Sequence, residues 1–209
     1  MVTDYLVLIY HESKYKLAQA SNQNGAPSHA GLIILDFLLD ATNRRKLLQS
    51  LPRLYEPNEA EWNRINANAD GLGRSAQSTM TTTPFRTMSG PFAELAECEI
   101  VVAQAMRPMR YICPSLAKET GAEILKFIIT NQRKIPIRLD VDYVAQSACK
   151  YAYVIDLDTD VFEIYARKSG ETTPTGRFRA FAGPPSLVQS WGLFDLPSRM
   201  QFLAAMDQI

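Results

Sequence analysis

Alternating hydrophobic and polar positions predict β-strands towards both ends of the chain. Residues 6–10 are rich in aliphatic and aromatic side chains, a polar turn follows over 11–14, and residues 15–20 can return as a second strand. This arrangement is typical of a β-hairpin. Residues 151–157 and 161–165 flank the polar turn Asp158-Thr159-Asp160 in the same way. The pattern therefore predicts two hairpins.

Two further segments have strand character. From Ile135 to Tyr143, large apolar residues alternate strictly with other residues, which is the pattern of a half-buried strand with one polar face. That face carries Asp140 and Asp142, and two carboxylates there can act as an acid and base pair. A solvated strand face is the simpler interpretation. Residues 187–194 are the second strand candidate.

Helical periodicity and capping residues predict the helices. Residues 31–40 are apolar almost all round, which indicates a buried helix rather than a surface one. Asn58-Glu59-Ala60-Glu61 and Ser198-Arg199-Met200-Gln201 have the spacing of capping boxes that open helices. Further helices are predicted from a cap at Asn43 through Leu48, over residues 92–106, and from Ser115 to Thr130.

The order of these elements is a hairpin, helices, a run of strands and a last helix. Because strands and helices are segregated along the chain, we expect an α+β fold with a mostly antiparallel sheet, an N-terminal hairpin and helices packed against it. A chain of 209 residues can bury a core without disulfide or metal staples. We expect a single domain over residues 1–209, with a long surface loop at about 71–90.

The predicted surface loop differs in composition from its surroundings. Between Gly71 and Gly90, Ser, Thr, Gly and Met dominate, and no acidic residue occurs. A loop of about 20 residues is uncommon in a compact domain unless it is functional or disordered. Basic and adaptable apolar side chains in it suit an interaction loop that orders on a partner. The contact residues expected in this loop are Arg74, Met80, Phe85, Arg86 and Met88.

Composition and charge narrow the function classes. A hydrophobic content of 46% excludes wholesale disorder. Lysine plus arginine is 22 and aspartate plus glutamate is 22, and this balance argues against a general binder of nucleic acid or anionic membranes. The N-terminus has no basic region before its short apolar run, and no segment approaches the ~20 apolar residues of a membrane span. We expect a soluble, cytoplasmic protein with no membrane partner and no cofactor.

Cysteine and histidine are scarce. Cys98, Cys113 and Cys149 are odd in number and lack metal-ligand spacing, so we expect three reduced thiols. His11 and His29 are the two histidines. A catalytic pair with cysteine or serine would have to recruit one of them, and nothing else in the sequence marks them for that role.

One acidic string is a candidate metal site. Asp156, Asp158 and Asp160 lie at alternate positions at the end of a predicted strand. An EF-hand loop starting at Asp156 requires glycine and glutamate where Val161 and Arg167 stand. A haloacid-dehalogenase-like motif requires threonine or valine at Asp160. Both patterns fail, so we interpret the three carboxylates as solvated acids, with a metal-binding role as the alternative.

A second string interleaves basic and aromatic residues, namely Arg177-Phe178-Arg179-Ala180-Phe181 with Arg167 and Lys168 nearby. Such a mixture suits single-stranded nucleic acid, where arginine contacts phosphate and aromatic rings stack on bases. Because the net charge is zero, we keep nucleic-acid binding only as a minor alternative.

Three blocks of the sequence carry a family resemblance. The first block contains Lys14-Tyr15-Lys16-Leu17-Ala18-Gln19, Asn24-Gly25-Ala26-Pro27, Gly31 and Ile34-Leu35-Asp36-Phe37-Leu38. The second block is residues 114–125, and the third is residues 151–158 with 162–165. In this order the blocks resemble an uncharacterised family of filamentous-fungal proteins with bacterial and phage relatives, whose first block reads K-x-K-h-A-Q, Q-W-D-G-Y-P, a glycine and I-L-x-F-L.

The W-D-G-Y-P loop is degenerate in this chain. Gln23, Asn24 and Ala26 stand at the family's Trp, Asp and Tyr positions, while Gly25 and Pro27 remain. The resemblance implies no activity. If the loop is a ligand site in relatives, the site is lost here and the turn is kept, as expected of a scaffold reused for its shape, for instance in an assembly or virion-surface component of a fungal virus.

These observations together predict a non-catalytic structural or protein–protein interaction protein, with a protein partner or self-assembly. Two alternatives remain open. One is a cryptic metal-dependent hydrolase that uses Asp156, Asp158 and Asp160, and the other is a nucleic-acid-binding accessory protein.

Overall fold

The protein is built around a five-stranded sheet. The computed structural model describes residues 3–82, 108–167 and 175–207, and of residues 71–82 and 108 the backbone alone. The strands are β1 (Asp4–His11), β2 (Lys14–Ser21), β3 (Leu54–Tyr55), β4 (Ile135–Pro136), β5 (Cys149–Asp156), β6 (Val161–Ala166) and β7 (Ser186–Gly192). The strand order in the sheet is β2-β1-β5-β6-β7, and β3 and β4 form a separate parallel pair.

Strand pairing confirms the predicted fold class. β1 pairs with β2, β5 with β6 and β6 with β7 in antiparallel register, and β1 pairs with β5 in parallel. Parallel neighbours need a long crossover, which the helices between β2 and β5 supply. The fold is therefore α+β, with a mostly antiparallel sheet that begins with an N-terminal hairpin. The second predicted hairpin is β5–β6, with its turn over residues 157–160.

Six α-helices occur among the described residues, and none of them is both long and apolar enough to cross a membrane. Both predicted capping boxes are confirmed, at Asn58 with Glu61 and at Ser198 with Gln201. The cap predicted at Asn43 is wrong: Asp40 accepts from the Thr42 amide at 2.7 Å. The helices are α1 (Leu32–Leu39), α2 (Ala41–Ser50), α3 (Glu59–Thr82), α4 (Pro108–Ile112), α5 (Ile124–Thr130) and α6 (Arg199–Met206).

Helix α3 changes the interpretation of the predicted surface loop. It continues to Thr82, so residues 71–82 are helical rather than looped. Extending a helix that is already capped at Asn58 is cheaper than nucleating a new one, and this advantage outweighs the low helix propensity of Gly, Ser and Thr. Residues 83–90, and the helix predicted over 92–106, lie outside the described residues.

The helix predicted from Ser115 to Thr130 is broken in the middle. Its first part forms two 3₁₀ turns, Pro114–Leu116 and Lys118–Glu123, and only Ile124–Thr130 is α-helical. Gly121 has a φ of 51°, and a Cβ there would lie 2.3 Å from the Tyr5 hydroxyl oxygen. That hydroxyl accepts from the Ala122 amide at 2.8 Å. A tertiary contact with β1 therefore replaces the local helical pattern.

The long strand predicted over residues 135–143 is also wrong. Pairing with β3 ends at Pro136, and Val141–Ala145 forms a 3₁₀ turn that buries Tyr143. Proline has no amide hydrogen for a sheet ladder, which limits the pairing. Asp140 and Asp142 therefore do not share a strand face. A carboxylate oxygen of Asp140 lies 3.9 Å from Nη1 of Arg138.

Both faces of the sheet are buried, which explains why β1 and β5 have nearly continuous apolar runs. One face packs against the helices, and the other packs against the 3₁₀ turn at Val141–Ala145 and a loop around Phe178. The helix-covered face includes Val7, Ile9, Ile155, Phe162, Ile164, Ile34, Ile128 and Phe202, and the opposite face includes Leu6, Leu8, Val154, Tyr165, Tyr143, Val144 and Phe178.

Candidate functional site

The acidic string at the end of β5 forms a hydrogen-bonded turn. One carboxylate oxygen of Asp156 accepts from the amides of Asp158 and Thr159 at 2.9 and 3.1 Å. Its other oxygen accepts from Arg177 Nη2 at 2.6 Å. Burial acts to raise the pKa of Asp156, but the hydrogen bonds from Arg177 and the turn amides outweigh it and hold this pKa below its ordinary value. Asp156 is thus a charged residue that shapes the turn.

Asp158 connects the two hairpins. Its carboxylate accepts from the amides of Ser13 and Glu12, at 2.8 and 2.7 Å, and these bonds lower its pKa. Glu12 and Ser13 have φ values of 52° and 59°, the left-handed conformation of a two-residue hairpin turn that favours asparagine and glycine. His11 Nδ1 lies 3.1 Å from the same carboxylate.

Asp160 takes a different position in the turn, with a φ of 52° and its carbonyl bonded to the Leu193 amide at 2.8 Å. The three acids of the string therefore have separate surroundings. Within the described ranges, no group of three or more His, Cys, Asp and Glu side chains converges on a common metal position.

Arg177 lies inside a network of charged and aromatic side chains. Its Nε donates to Glu163 at 2.6 Å, its Nη2 donates to Asp156, and its guanidinium carbon lies 4.9 Å from the centre of the Tyr10 ring. Although burial acts to lower the pKa of Arg177, the bonds to Glu163 and Asp156 raise it. Phe178 is fully buried. Two members of the predicted basic and aromatic string therefore serve the fold, whereas Arg179 is exposed.

The Arg167 guanidinium donates hydrogen bonds to backbone carbonyls. Its Nε donates to the Cys149 carbonyl at 3.1 Å, and its Nη2 donates to Val144 and Gln146 at 3.2 and 2.9 Å. Its Nη1 donates to the Gly183 carbonyl. The guanidinium thus joins β5, the preceding turn and the loop before β7.

The degenerate loop over residues 21–31 is tightly packed. The Asn24 side chain accepts from the Ala26 amide at 3.1 Å, and the Gly25 carbonyl accepts from the Tyr153 hydroxyl at 2.6 Å. A Cβ at Gly25 would lie 2.7 Å from both the Thr3 carbonyl oxygen and the Tyr5 Cβ. Gly25 is therefore required by close packing.

A cleft of about 260 Å³ opens beside this loop. It is smaller than the usual range of small-molecule sites, about 300–1,000 Å³. Its apolar lining comes from Pro27 of this loop and from β6, β7 and α6, and its polar groups include Tyr151 and Asp207. The apolar residues that line it are Pro27, Ile164, Ala166, Val188, Leu203 and Met206.

We use the name apolar patch for three exposed apolar side chains on elements that contact one another: Leu39, Phe194 and Met200. Met200 is 83% exposed, Phe194 81% and Leu39 44%. The Phe194 ring centre lies 5.7 Å from the Arg44 guanidinium carbon, and Arg44 also donates to the Leu38 carbonyl. These contacts place Phe194 beside the end of α1, where Leu39 lies.

An ion pair joins the helix that carries Met200, the third member of the apolar patch, to α1. Arg199 donates to both carboxylate oxygens of Asp36, at 2.6 and 2.5 Å, which fixes the start of α6 against α1. Met200 follows Arg199, and Leu39 lies one turn after Asp36 on α1. The residues of the apolar patch therefore belong to α1, α6 and the turn after β7, and side-chain contacts connect these elements.

The predicted interaction loop is only partly described. Arg74 and Met80 lie in helix α3, of which the structure describes the backbone here, whereas Phe85, Arg86 and Met88 lie outside the described residues. Of the cysteines, Cys113 and Cys149 are free, and Cys98 lies outside the described residues. Burial raises the pKa of the Cys149 thiol to about 12, so this thiol is protonated and inert.

Sequence reasoning missed the apolar patch. Met200 lies in a helix whose apolar side, with Phe202 and Met206, is buried, so its displacement from that side is the signal that marks it as exposed. Phe194 carries no such signal, because the strand predicted over residues 187–194 includes it, whereas β7 ends at Gly192.

In comparisons with protein-family models, curated proteins and solved structures, no match to the chain was found.

Proposed function

We propose that this is a non-catalytic structural protein that acts by contact with other proteins, and that the apolar patch is its contact surface. The observation that carries the proposal is the exposure of two large apolar side chains, 81% for Phe194 and 83% for Met200. Leaving two large apolar side chains in water forfeits about 1.5–3 kcal/mol each relative to burying them. A partner that covers them recovers that free energy.

The surroundings of the apolar patch suit protein recognition. Aromatic side chains, methionine and arginine are enriched in interfaces. Arg44 rests on the Phe194 ring, and the Arg199–Asp36 pair holds the helix that carries Met200. These contacts reduce the conformational entropy that binding has to remove, which favours affinity.

The acidic turn supports the same proposal. The carboxylates of Asp156 and Asp158, which the hydrolase alternative would use as metal ligands, accept hydrogen bonds that shape the β5–β6 turn and the β1–β2 turn. A structural role accounts for these contacts. An assembly role, such as that of a virion-surface component, and a cytoplasmic location are part of the proposal, and the free thiols of Cys113 and Cys149 support the location.

The test replaces Phe194 and Met200 together by serine in the full chain and measures which proteins co-purify at natural abundance, by quantitative mass spectrometry. We expect the double variant to lose its bound protein by at least about tenfold, which corresponds to about 1.4 kcal/mol. The matched control is Tyr111→Ser, which removes an exposed side chain outside the apolar patch. Equal recovery of the same proteins with both variants would contradict the proposal.

A further inference from the structure

The two outer strands of the sheet have different surroundings. Beside β2, the Ala18 amide donates to the Arg138 carbonyl, and the Asp140 amide donates to the Ala18 carbonyl, both at 3.0 Å. A chain segment therefore covers the middle of that edge. Beside β7, the Thr175 carbonyl accepts from the Leu187 amide at 3.3 Å, near the beginning of the strand.

The register of β7 shows which of its backbone groups face outward beyond Leu187. The Leu193 amide donates to the Asp160 carbonyl at 2.8 Å, on the β6 side. Because hydrogen-bonding direction alternates along a strand, the amides of Trp191 and Gln189 also face β6, and those of Ser190 and Gly192 face outward. Ser190 and Gly192 are both exposed. A Cβ at Gly192 would have no described atom within 4 Å.

The sequence of this edge is unusual for an outer strand. Exposed edges are ordinarily protected by lysine, proline or a bulge, since an open edge pairs with other strands. Residues 186–192 include no charged residue and no proline. The bulge in β7 falls near Val188, before the outward amides of Ser190 and Gly192.

We propose that the edge of β7 pairs with β7 of a second copy of this chain, in antiparallel register about a twofold axis at Ser190. This inference rests on the proposed function and names the partner. Two identical strands can satisfy each other in this arrangement, because each Ser190 donates its amide to, and accepts at its carbonyl from, the other copy. Since the edge carries no charge, no like charges meet across the axis.

The apolar patch lies next to this edge. Phe194 follows β7 by two residues, and in this register it comes opposite Ser186 of the other copy, next to Thr175, which lies along the start of that strand. Partial cover of Phe194 then adds apolar area to the few backbone hydrogen bonds. An interface that consists of a few backbone hydrogen bonds and the partial cover of one ring on each copy is small. We therefore expect a weak complex, with a Kd between about 1 μM and about 1 mM.

The first experiment measures the mass of the full chain by sedimentation velocity from about 1 μM to about 1 mM. The wild type is expected to pass from monomer to dimer. Ser190→Lys places a charge at the twofold axis and should weaken the dimer at least about tenfold. The matched control Ser147→Lys introduces the same change at another exposed serine and should dimerise like the wild type.

Hydrogen exchange on the wild type supplies a measurement that depends on no variant. At the dimer concentration the amides of Ser190 and Gly192 should exchange more slowly than in the dilute monomer. The Trp191 amide faces β6 and should be protected equally at both concentrations.

A wild type that stays monomeric throughout the range overturns the self-pairing, as does a Ser190→Lys variant that dimerises like Ser147→Lys. Protection of Ser190 and Gly192 in a complex with a different protein, at concentrations where the free chain is monomeric, also overturns it. The proposed function fails separately, if the Phe194 and Met200 double variant keeps its co-purifying proteins.

Discussion

At the scale of single residues, the most informative position is the β1–β2 turn. Glu12 and Ser13 both adopt positive φ without being glycine or asparagine, a conformation that costs about 1 kcal/mol or more at a non-glycine residue. The carboxylate of Asp158 offsets this cost, because it accepts from both amides. A turn that its own residues do not favour is therefore maintained by a residue from the other hairpin.

The first prediction is that Ser13→Gly stabilises the protein by about 0.5–1 kcal/mol, because glycine adopts positive φ without a steric penalty. Equilibrium urea unfolding measures the change. The control is Lys14→Gly, at the exposed first residue of β2, where glycine should destabilise by about 0.5–1 kcal/mol. If both variants lose stability, the turn is not strained as described.

The second prediction concerns how the free energy of unfolding changes at acidic pH. Hydrogen bonds lower the pKa values of Asp156 and Asp158 in the folded state below those of the unfolded chain, which are about 3.9. The unfolded chain then takes up protons first as the pH falls, so the free energy of unfolding decreases from about pH 4 downward. In Asp158→Asn this loss should be smaller, and its stability should approach that of the wild type at low pH. Parallel curves for the two proteins would contradict the assignment.

At the scale of elements, the sequence pattern predicts a helix or strand correctly where the contacts that form it join residues close together in the sequence. The two hairpins and both capping boxes follow from the sequence because their contacts are between residues a few positions apart. The helix predicted over 115–130 failed because the contact of Tyr5 with Gly121 and Ala122 joins residues more than a hundred positions apart. No pattern within the segment reveals such a contact.

Arg177 also makes contacts with residues distant in the sequence that no local pattern reveals, and the third prediction concerns these contacts. Its bonds to Asp156 and Glu163 attach the loop before β7 to β5 and β6. Arg177→Ala leaves the buried carboxylate of Asp156 and the partly exposed carboxylate of Glu163 without their cation and should cost about 3 kcal/mol, the lower end of the range for a buried pair. Arg179→Ala, in the same string but exposed, should change stability by less than about 0.5 kcal/mol. Thermal or urea unfolding distinguishes the two, and equal losses would contradict the network.

At the scale of the whole molecule, the sheet lies between two layers that do not contact it in the same way. Helices cover one face, and a 3₁₀ turn and the Phe178 loop cover the other. The sequence predicted the helical layer from its apolar stripes. The second layer does not follow from the sequence, because Tyr143 continues the alternating pattern of residues 135–143 and Phe178 lies in a string of basic and aromatic residues. Neither pattern shows what packs against these rings.

The last prediction asks whether the two layers are one cooperative unit. β1 and β5 contribute alternate side chains to both cores, for example Val7 and Leu8, so loss of one core should release the strands that hold the other. Phe178→Ala should cost about 3–5 kcal/mol. If unfolding is cooperative, hydrogen-exchange protection should fall by the same free energy at the amide of Val154 in β5 and at that of Leu38 in α1, on the opposite side of the sheet. An unchanged rate at Leu38 would instead show that the helical layer unfolds on its own, and the expectation of a single domain would then be wrong.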